Sequence, residues 1–98
     1  MVAVAEDNEG IYGIIIGILG EHPFLNEVYA TELAWYLEEG RRGGTAAIKL
    51  LKTFVDWSKY KGATQIVMGD IVPLLDNKDL YERLGFTLVE RSYYMESK

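Results

Sequence analysis

Ninety-eight residues, 49% of them hydrophobic, suffice for one compact domain with a real core and leave little room for a second. Lys and Arg number 10 against 15 Asp and Glu, and the net charge of −5 argues against general nucleic-acid binding. It suits solubility, or a cationic partner such as an amine. No cysteine is present, so disulfides, zinc–thiolate sites and a thiol nucleophile are excluded, which is compatible with a reducing cytoplasm.

Val2 to Ala5 is a short apolar stretch, Glu6 to Gly10 is polar with turn residues, and Ile11 to Leu19 is apolar and rich in isoleucine. This is a hairpin pattern. The Ile11–Leu19 run is far shorter than the ~20 residues that span a bilayer, and no signal-peptide pattern precedes it, so the chain reads as soluble, untargeted and without a membrane role. Gly13 and Gly17 interrupt the second strand, whose continuous apolar character suggests burial on both faces or close approach by another backbone. Gly20 to Phe24 reads as a loop, with Pro23 holding His22 extended. A third strand follows from Glu27 to Leu37. Simple alternation puts Leu33, Trp35 and Leu37 on one face and Glu32, Ala34 and Tyr36 on the other, so that Glu32 shares its side with Tyr36 and Trp35 faces away into a core.

From about Gly44 to Tyr60 the spacing predicts a helix with Ala47, Leu50, Leu51, Phe54, Val55 and Ser58 inward and Lys49, Lys52, Asp56 and Lys59 outward. Gly62 is its stop signal. Gln65 to Gly69 reads as a buried strand. Asp76-Asn77 offers a cap for a short helix through Leu84 that Gly85 ends, and Thr87 to Met95 reads as a last strand. The expected fold class is therefore α+β, a mixed α/β domain in the order β-β-β-α-β-α-β. An antiparallel meander is joined by a crossover helix to a parallel strand.

In such an arrangement the crossover helix N-terminus and the strand C-termini face one crevice. Arg41-Arg42-Gly43-Gly44-Thr45-Ala46 occupies that position. Glycines let a backbone approach a ligand closely, the first helical N–H groups are unpaired and positive, and two arginines add charge-assisted bonds, so the turn suits a phosphate or pyrophosphate. A glycine-rich strand-to-helix turn with no ligand is the plainer reading. The turn lacks the lysine and the serine or threonine ending of a P-loop.

At this point the chain resembles the GCN5-related N-acetyltransferase superfamily. Its Arg/Gln-x-x-Gly-x-Gly/Ala signature is matched by Arg41-Arg42-Gly43-Gly44-Thr45-Ala46, and its leucine–tyrosine helix running into glycine–phenylalanine by Leu80-Tyr81-Glu82-Arg83-Leu84-Gly85-Phe86. The order of these motifs, with the strand Ile66-Val67-Met68 between them, covers nearly the whole chain. Glu32-Leu33-Ala34-Trp35-Tyr36 followed by the turn is most similar to short acetyltransferase-like proteins of bacteria and their phages. The resemblance implies acetyl-CoA as cofactor. Its pyrophosphate would lie on the backbone amides of Arg42, Gly43, Gly44, Thr45 and Ala46 within an Arg41-to-Ala46 cradle, and its pantetheine arm would pair beside Tyr36 and Leu37.

The reaction implied is attack of a neutral amine on a thioester, which needs a proton acceptor, an oxyanion donor and an acid for the leaving thiolate. Tyr81 stands where the family commonly places a tyrosine that protonates or hydrogen-bonds the sulfur; otherwise it is a helix tyrosine packed on the sheet. Glu32 is the best candidate for a general base, directly or through a water, and its plainer reading is an edge carboxylate in solvent. His22 is a minor candidate for contact with the acceptor. Trp57 reads as core or interface, and Tyr93 and Tyr94 as strand aromatics that could line an acceptor groove or a dimer contact. Glu38 and Glu39 are expected in solvent, since inward they would repel phosphate. No metal site is expected.

Family members usually begin with a strand and two helices that help to form the acceptor site, and Met1 falls near the family's second strand. The resemblance thus implies a form lacking those elements, with an open acceptor side that suits a protein lysine or another exposed amine. It equally allows a non-catalytic protein of the same fold that occupies a partner's surface. A homodimer would help so small a domain. Asn77 stands only four residues before Tyr81, too near for the family's asparagine.

Overall fold

A computed structural model describes residues 1–21, 27–42, 44–69, 78–88, 93 and 95–97. Four strands form one mixed sheet in the order β1-β2-β3-β4: β1 (Val2–Asp7), β2 (Gly10–Glu21), β3 (Val28–Leu37) and β4 (Gln65–Val67). The first three are antiparallel neighbours, and β4 lies parallel to β3 with Tyr29, Ala30 and Thr31 opposite Gln65, Ile66 and Val67. Helix α1 (Thr45–Tyr60) makes the crossover between β3 and β4, and the short helix α2 (Lys78–Arg83) follows. The expected last strand over Thr87–Met95, the Asp76-Asn77 cap and His22 lie wholly or largely outside the described residues.

The helix ends follow from local chemistry. Gly44 is extended at the α1 N-cap, and beyond Tyr60 the chain turns at Gly62 with φ +82°, while Lys61, Gly62 and Ala63 donate back to the carbonyls of Trp57, Lys59 and Ser58. Gly85, φ +95°, ends α2 in the same left-handed conformation, and the Phe86 N–H returns to the Tyr81 carbonyl at 3.0 Å. Ala47, Leu50, Leu51, Phe54 and Ser58 form the buried stripe of α1. Ser58 is satisfied there by donating its hydroxyl to the Phe54 carbonyl at 2.7 Å.

This stripe packs on the sheet face that carries Ala3, Ala5, Ile15, Ala30 and Leu37. The glycines of β2 are part of the fit. A Cβ at Gly17 would lie 2.6 Å from the Phe54 ring, and one at Gly13 would run into the Leu37 side chain. Phe54 therefore sits over bare backbone, fully buried, which contributes about 1.5–3 kcal/mol. The other face of the sheet leaves Val2, Val4, Ile18, Tyr36 and Val67 exposed.

Both antiparallel pairs contain a slip. Between Ala5↔Gly13 and Glu6↔Ile11, Tyr12 is the extra residue of β2; between Ile16↔Ala34 and Gly17↔Glu32, Leu33 is the extra residue of β3. The second bulge corrects the simple alternation of β3. Residues paired across strands share a face, so Glu32 opposite Gly17 joins Trp35 opposite Ile15 and Leu37 opposite Gly13 on the α1 side. Tyr36 lies on the opposite side with Ala34, and Leu33 is 64% exposed.

The close approach at Gly17 predicts that Gly17→Ala destabilises the protein by about 1–3 kcal/mol in urea titrations, because a rigid buried ring must move. Phe54→Leu in that background should recover part of the loss. Gly40→Ala, where a Cβ would meet nothing within 4 Å, should be near neutral.

Candidate functional site

The parallel pairing of β3 with β4 stops at Thr31↔Val67, and β3 continues through Leu37 without a strand partner on that edge among the described residues. Hydrogen-bond phase shows what this edge presents. The Glu38 N–H donates to the Tyr12 carbonyl at 2.9 Å, so Gly13↔Leu37 is a pair whose own backbone groups point away from each other. By alternation the N–H and C=O of both Leu37 and Trp35 face the open edge. The Leu37 carbonyl is taken by Arg42 Nε at 2.8 Å. An extended polar chain laid along this edge would find the remaining groups.

Where the pairing ends, two side chains meet the backbone of one glycine. Glu32 Oε1 accepts from the Gly69 N–H at 3.3 Å, and the Tyr81 hydroxyl donates to the Gly69 carbonyl at 3.1 Å. Glu32 reaches this point because the bulge turns it onto the α1 side. Tyr81 reaches it from α2, where it is 9% exposed and packs between the rings of Trp35 and Phe86, each with its centroid 5.8 Å away. The two residues expected from sequence to carry proton transfer are therefore brought together from elements far apart in the chain. Sequence reasoning missed Gly69, whose only signal is its place just after β4, and it missed that Trp35, correctly expected in the core, shares a face with Glu32.

The glycine-rich turn lies at the far end of the open edge. A short 3-10 turn, Glu39–Arg41, leads into it, and among the described residues no side chain caps the N-terminus of α1, whose first turn carries no acidic residue. The helix thus presents uncapped N–H groups and the positive end of its dipole. The arginines are placed differently from a simple phosphate clamp. Arg41 forms a short ion pair with Asp7 at the tip of the first hairpin and lies 4.2 Å over the Tyr12 ring. Its hydrogen bond, joined by the Glu9 backbone N–H, holds the Asp7 carboxyl below its ordinary range, and Asp7 in turn raises the Arg41 guanidinium. Arg42 lies 5.3 Å from the Tyr36 ring centroid while bonding the Leu37 carbonyl. Glu38 and Glu39 are exposed, and Gly43 lies outside the described residues. Thr45 is exposed and Ala46 half-buried at the first turn of α1.

Among the described residues no group of acidic or histidine side chains could hold a metal, and no helix is long and apolar enough to cross a membrane.

No protein-family model matches this sequence, and no curated protein matches it. Solved structures do. A transcriptional regulator from Bacillus halodurans C-125 superimposes with a TM-score of 0.84 at 21% identity, over 98% of this chain and 65% of its own. The ribosomal-protein-alanine N-acetyltransferase of Brucella melitensis biovar Abortus 2308 gives 0.78 at 18% identity, over 98% and 70%. AAC(6')-Iy, in complex with the bisubstrate analog CoA-S-monomethyl-acetylneamine, gives 0.77 at 15% identity, over 99% and 68%. The chain thus spans 65 to 70% of the length of these structures. Meander, crossover helix and parallel fourth strand together are the fold of the GCN5-related N-acetyltransferases, and this chain has that fold.

Proposed function

We propose that this chain is the cofactor-binding and catalytic part of an acetyl-CoA-dependent N-acetyltransferase acting on a primary amine, a protein lysine or another exposed amine. The observation that carries the reading is the convergence of Glu32 and Tyr81 on Gly69, at the point where β3 and β4 part. The open edge of β3 and the uncapped α1 N-terminus fit the two ends of an acyl-CoA. The backbone groups of Trp35 and Leu37 suit an amide-bearing arm, and the amides from Arg42 to Ala46 suit a pyrophosphate. Acetyl-CoA would supply the acyl group as a thioester.

The chain's own residues then divide the work. Glu32 accepts the proton that the acceptor amine must lose, directly or through a water. Tyr81 Oη, already held as a donor toward Gly69, is the group that gives a hydrogen bond or proton to the departing sulfur. Arg41, anchored on Asp7 and Tyr12, fixes the turn rather than reaching for the ligand, and Arg42 fixes the end of β3. Phosphate recognition in this reading falls on backbone amides. The acidic surface favours a cationic acceptor.

Two outcomes are expected. In an assay of CoA release with a panel of amines and candidate proteins, checked by mass spectrometry for an added acetyl group, Glu32→Gln and Tyr81→Phe should each lower kcat by about a hundredfold or more. Acetyl-CoA binding by calorimetry should change far less. Wild-type rates in both variants would remove their assigned roles, and failure of the wild type to bind acetyl-CoA would remove the reading itself.

Gly44→Asp separates ligand from fold. There is room for its Cβ, whose nearest neighbour is the Arg41 carbonyl at 3.8 Å, and aspartate is a good N-cap, so thermal stability should hold or rise slightly. Its carboxylate would occupy the anion site, and acetyl-CoA affinity should fall by about tenfold or more.

A further inference from the structure

One buried polar atom belongs to a ring packed against Tyr81. Trp35 Nε1 has essentially no accessible surface and no hydrogen-bond partner among the described residues. The groups around it are satisfied: Tyr81, whose ring centroid lies 5.8 Å from that of Trp35, bonds the Gly69 carbonyl, and Glu32, on the same sheet face, accepts from the Gly69 N–H. A buried donor left unpaired opposes folding, because its contacts with water are lost and not replaced. Packing against the core accounts for the size of the ring and leaves its N–H unexplained. The bulge at Leu33 turns this side chain onto the α1 face, while the Trp35 backbone faces the open edge of β3. The buried indole N–H and a stretch of the open edge thus belong to one residue.

We propose that the Trp35 indole N–H is a cofactor-contacting donor that binds a carbonyl oxygen of the acyl-pantetheine arm, either the thioester carbonyl or an amide carbonyl. This rests on the acyl-CoA reading above and adds to it a side-chain contact. Because Nε1 is closed to solvent, the arm reaches it only if side chains around the indole shift, and the Tyr81 ring packed on Trp35 is one of these neighbours. Entry of the arm beside Trp35 would then bear on the position of the proposed acid.

The test uses the two tryptophans of the chain, Trp35 and Trp57, whose indole N–H signals are resolved by 15N–1H NMR and assigned with Trp57→Phe. Acetyl-CoA, CoA and adenosine 3′,5′-bisphosphate, which lacks the arm, are titrated in parallel with calorimetry. A downfield shift of the Trp35 signal with acetyl-CoA alone identifies the thioester carbonyl. The same shift with acetyl-CoA and CoA identifies an amide, and the bisphosphate should leave the signal in place in either case. Replacing Trp35 by β-(3-benzothienyl)alanine in the Trp57→Phe background keeps the ring shape and removes only the donor. It should bind acetyl-CoA about tenfold more weakly, close to 1.4 kcal/mol, with an unchanged melting temperature or a higher one. Heat of binding with an unmoved Trp35 signal, or undiminished affinity in the benzothienyl variant, overturns the Trp35 assignment while leaving the acyl-CoA reading standing. Absence of any binding heat with the wild type overturns both.

Discussion

One extra residue in β3 sets the geometry on which the rest of the site depends. A bulge at Leu33 costs the strand one paired residue and shifts every side chain after it to the other face. Without it, Trp35 and Leu37 would lie on the far side of the sheet from Glu32, and the core under α1 would lack Leu37. With it, Ala30, Glu32, Trp35 and Leu37 share one face despite their mixed spacing. The bulge lies next to the position where the β3–β4 ladder ends, so local irregularity and strand parting occur together.

The turn beyond β3 is held by interactions that reach back to the beginning of the chain. Arg41 spans 34 residues to Asp7 and stacks on Tyr12, the extra residue of the other bulge. Both bulges therefore serve the same end of the sheet: one presents an aromatic platform for the turn, and the other aims the acidic and aromatic side chains. Exposed ion pairs contribute little to global stability. Here the value of the pair is positional, because it fixes the loop that precedes an uncapped helix without placing a carboxylate at the helix's positive end. Arg42 acts in the same way on β3, closing its last outward carbonyl.

Much of this was legible in the sequence because it rests on short-range rules. Apolar spacing located α1 within a residue of its ends, and Gly62 and Gly85 marked helix stops through their left-handed conformations. The parallel neighbour followed from a strand, a helix and a strand in succession. Motif order pointed to the Arg41-to-Ala46 turn and to Tyr81 as site candidates, whereas Glu32 was chosen as sharing a face with Tyr36, and the bulge puts those two on opposite faces. Side-chain direction was not legible where it depended on register. Strand alternation is a two-residue rule, and nothing local at Leu33 announces that the rule breaks there; the bulge is fixed by Gly17 and Ile16 on the neighbouring strand. For the same reason Trp35 read as core facing away from Glu32. The partners of the arginines were also hidden, since Asp7 lies on a hairpin remote in sequence and Leu37 contributes only a carbonyl.

Gly69 links the two proton-handling candidates through consecutive peptide planes, its N–H held by Glu32 and its C=O by Tyr81. The carboxylate and the phenol are therefore joined through the backbone of a single residue. A methyl group at this position would meet Glu32 only at ordinary contact distance, 3.6 Å, and the φ of Gly69 is not in the left-handed region, so neither space nor backbone conformation demands a glycine there. Gly69 is a bridge between β3 and α2, holding the two side chains to the backbone at one Cα.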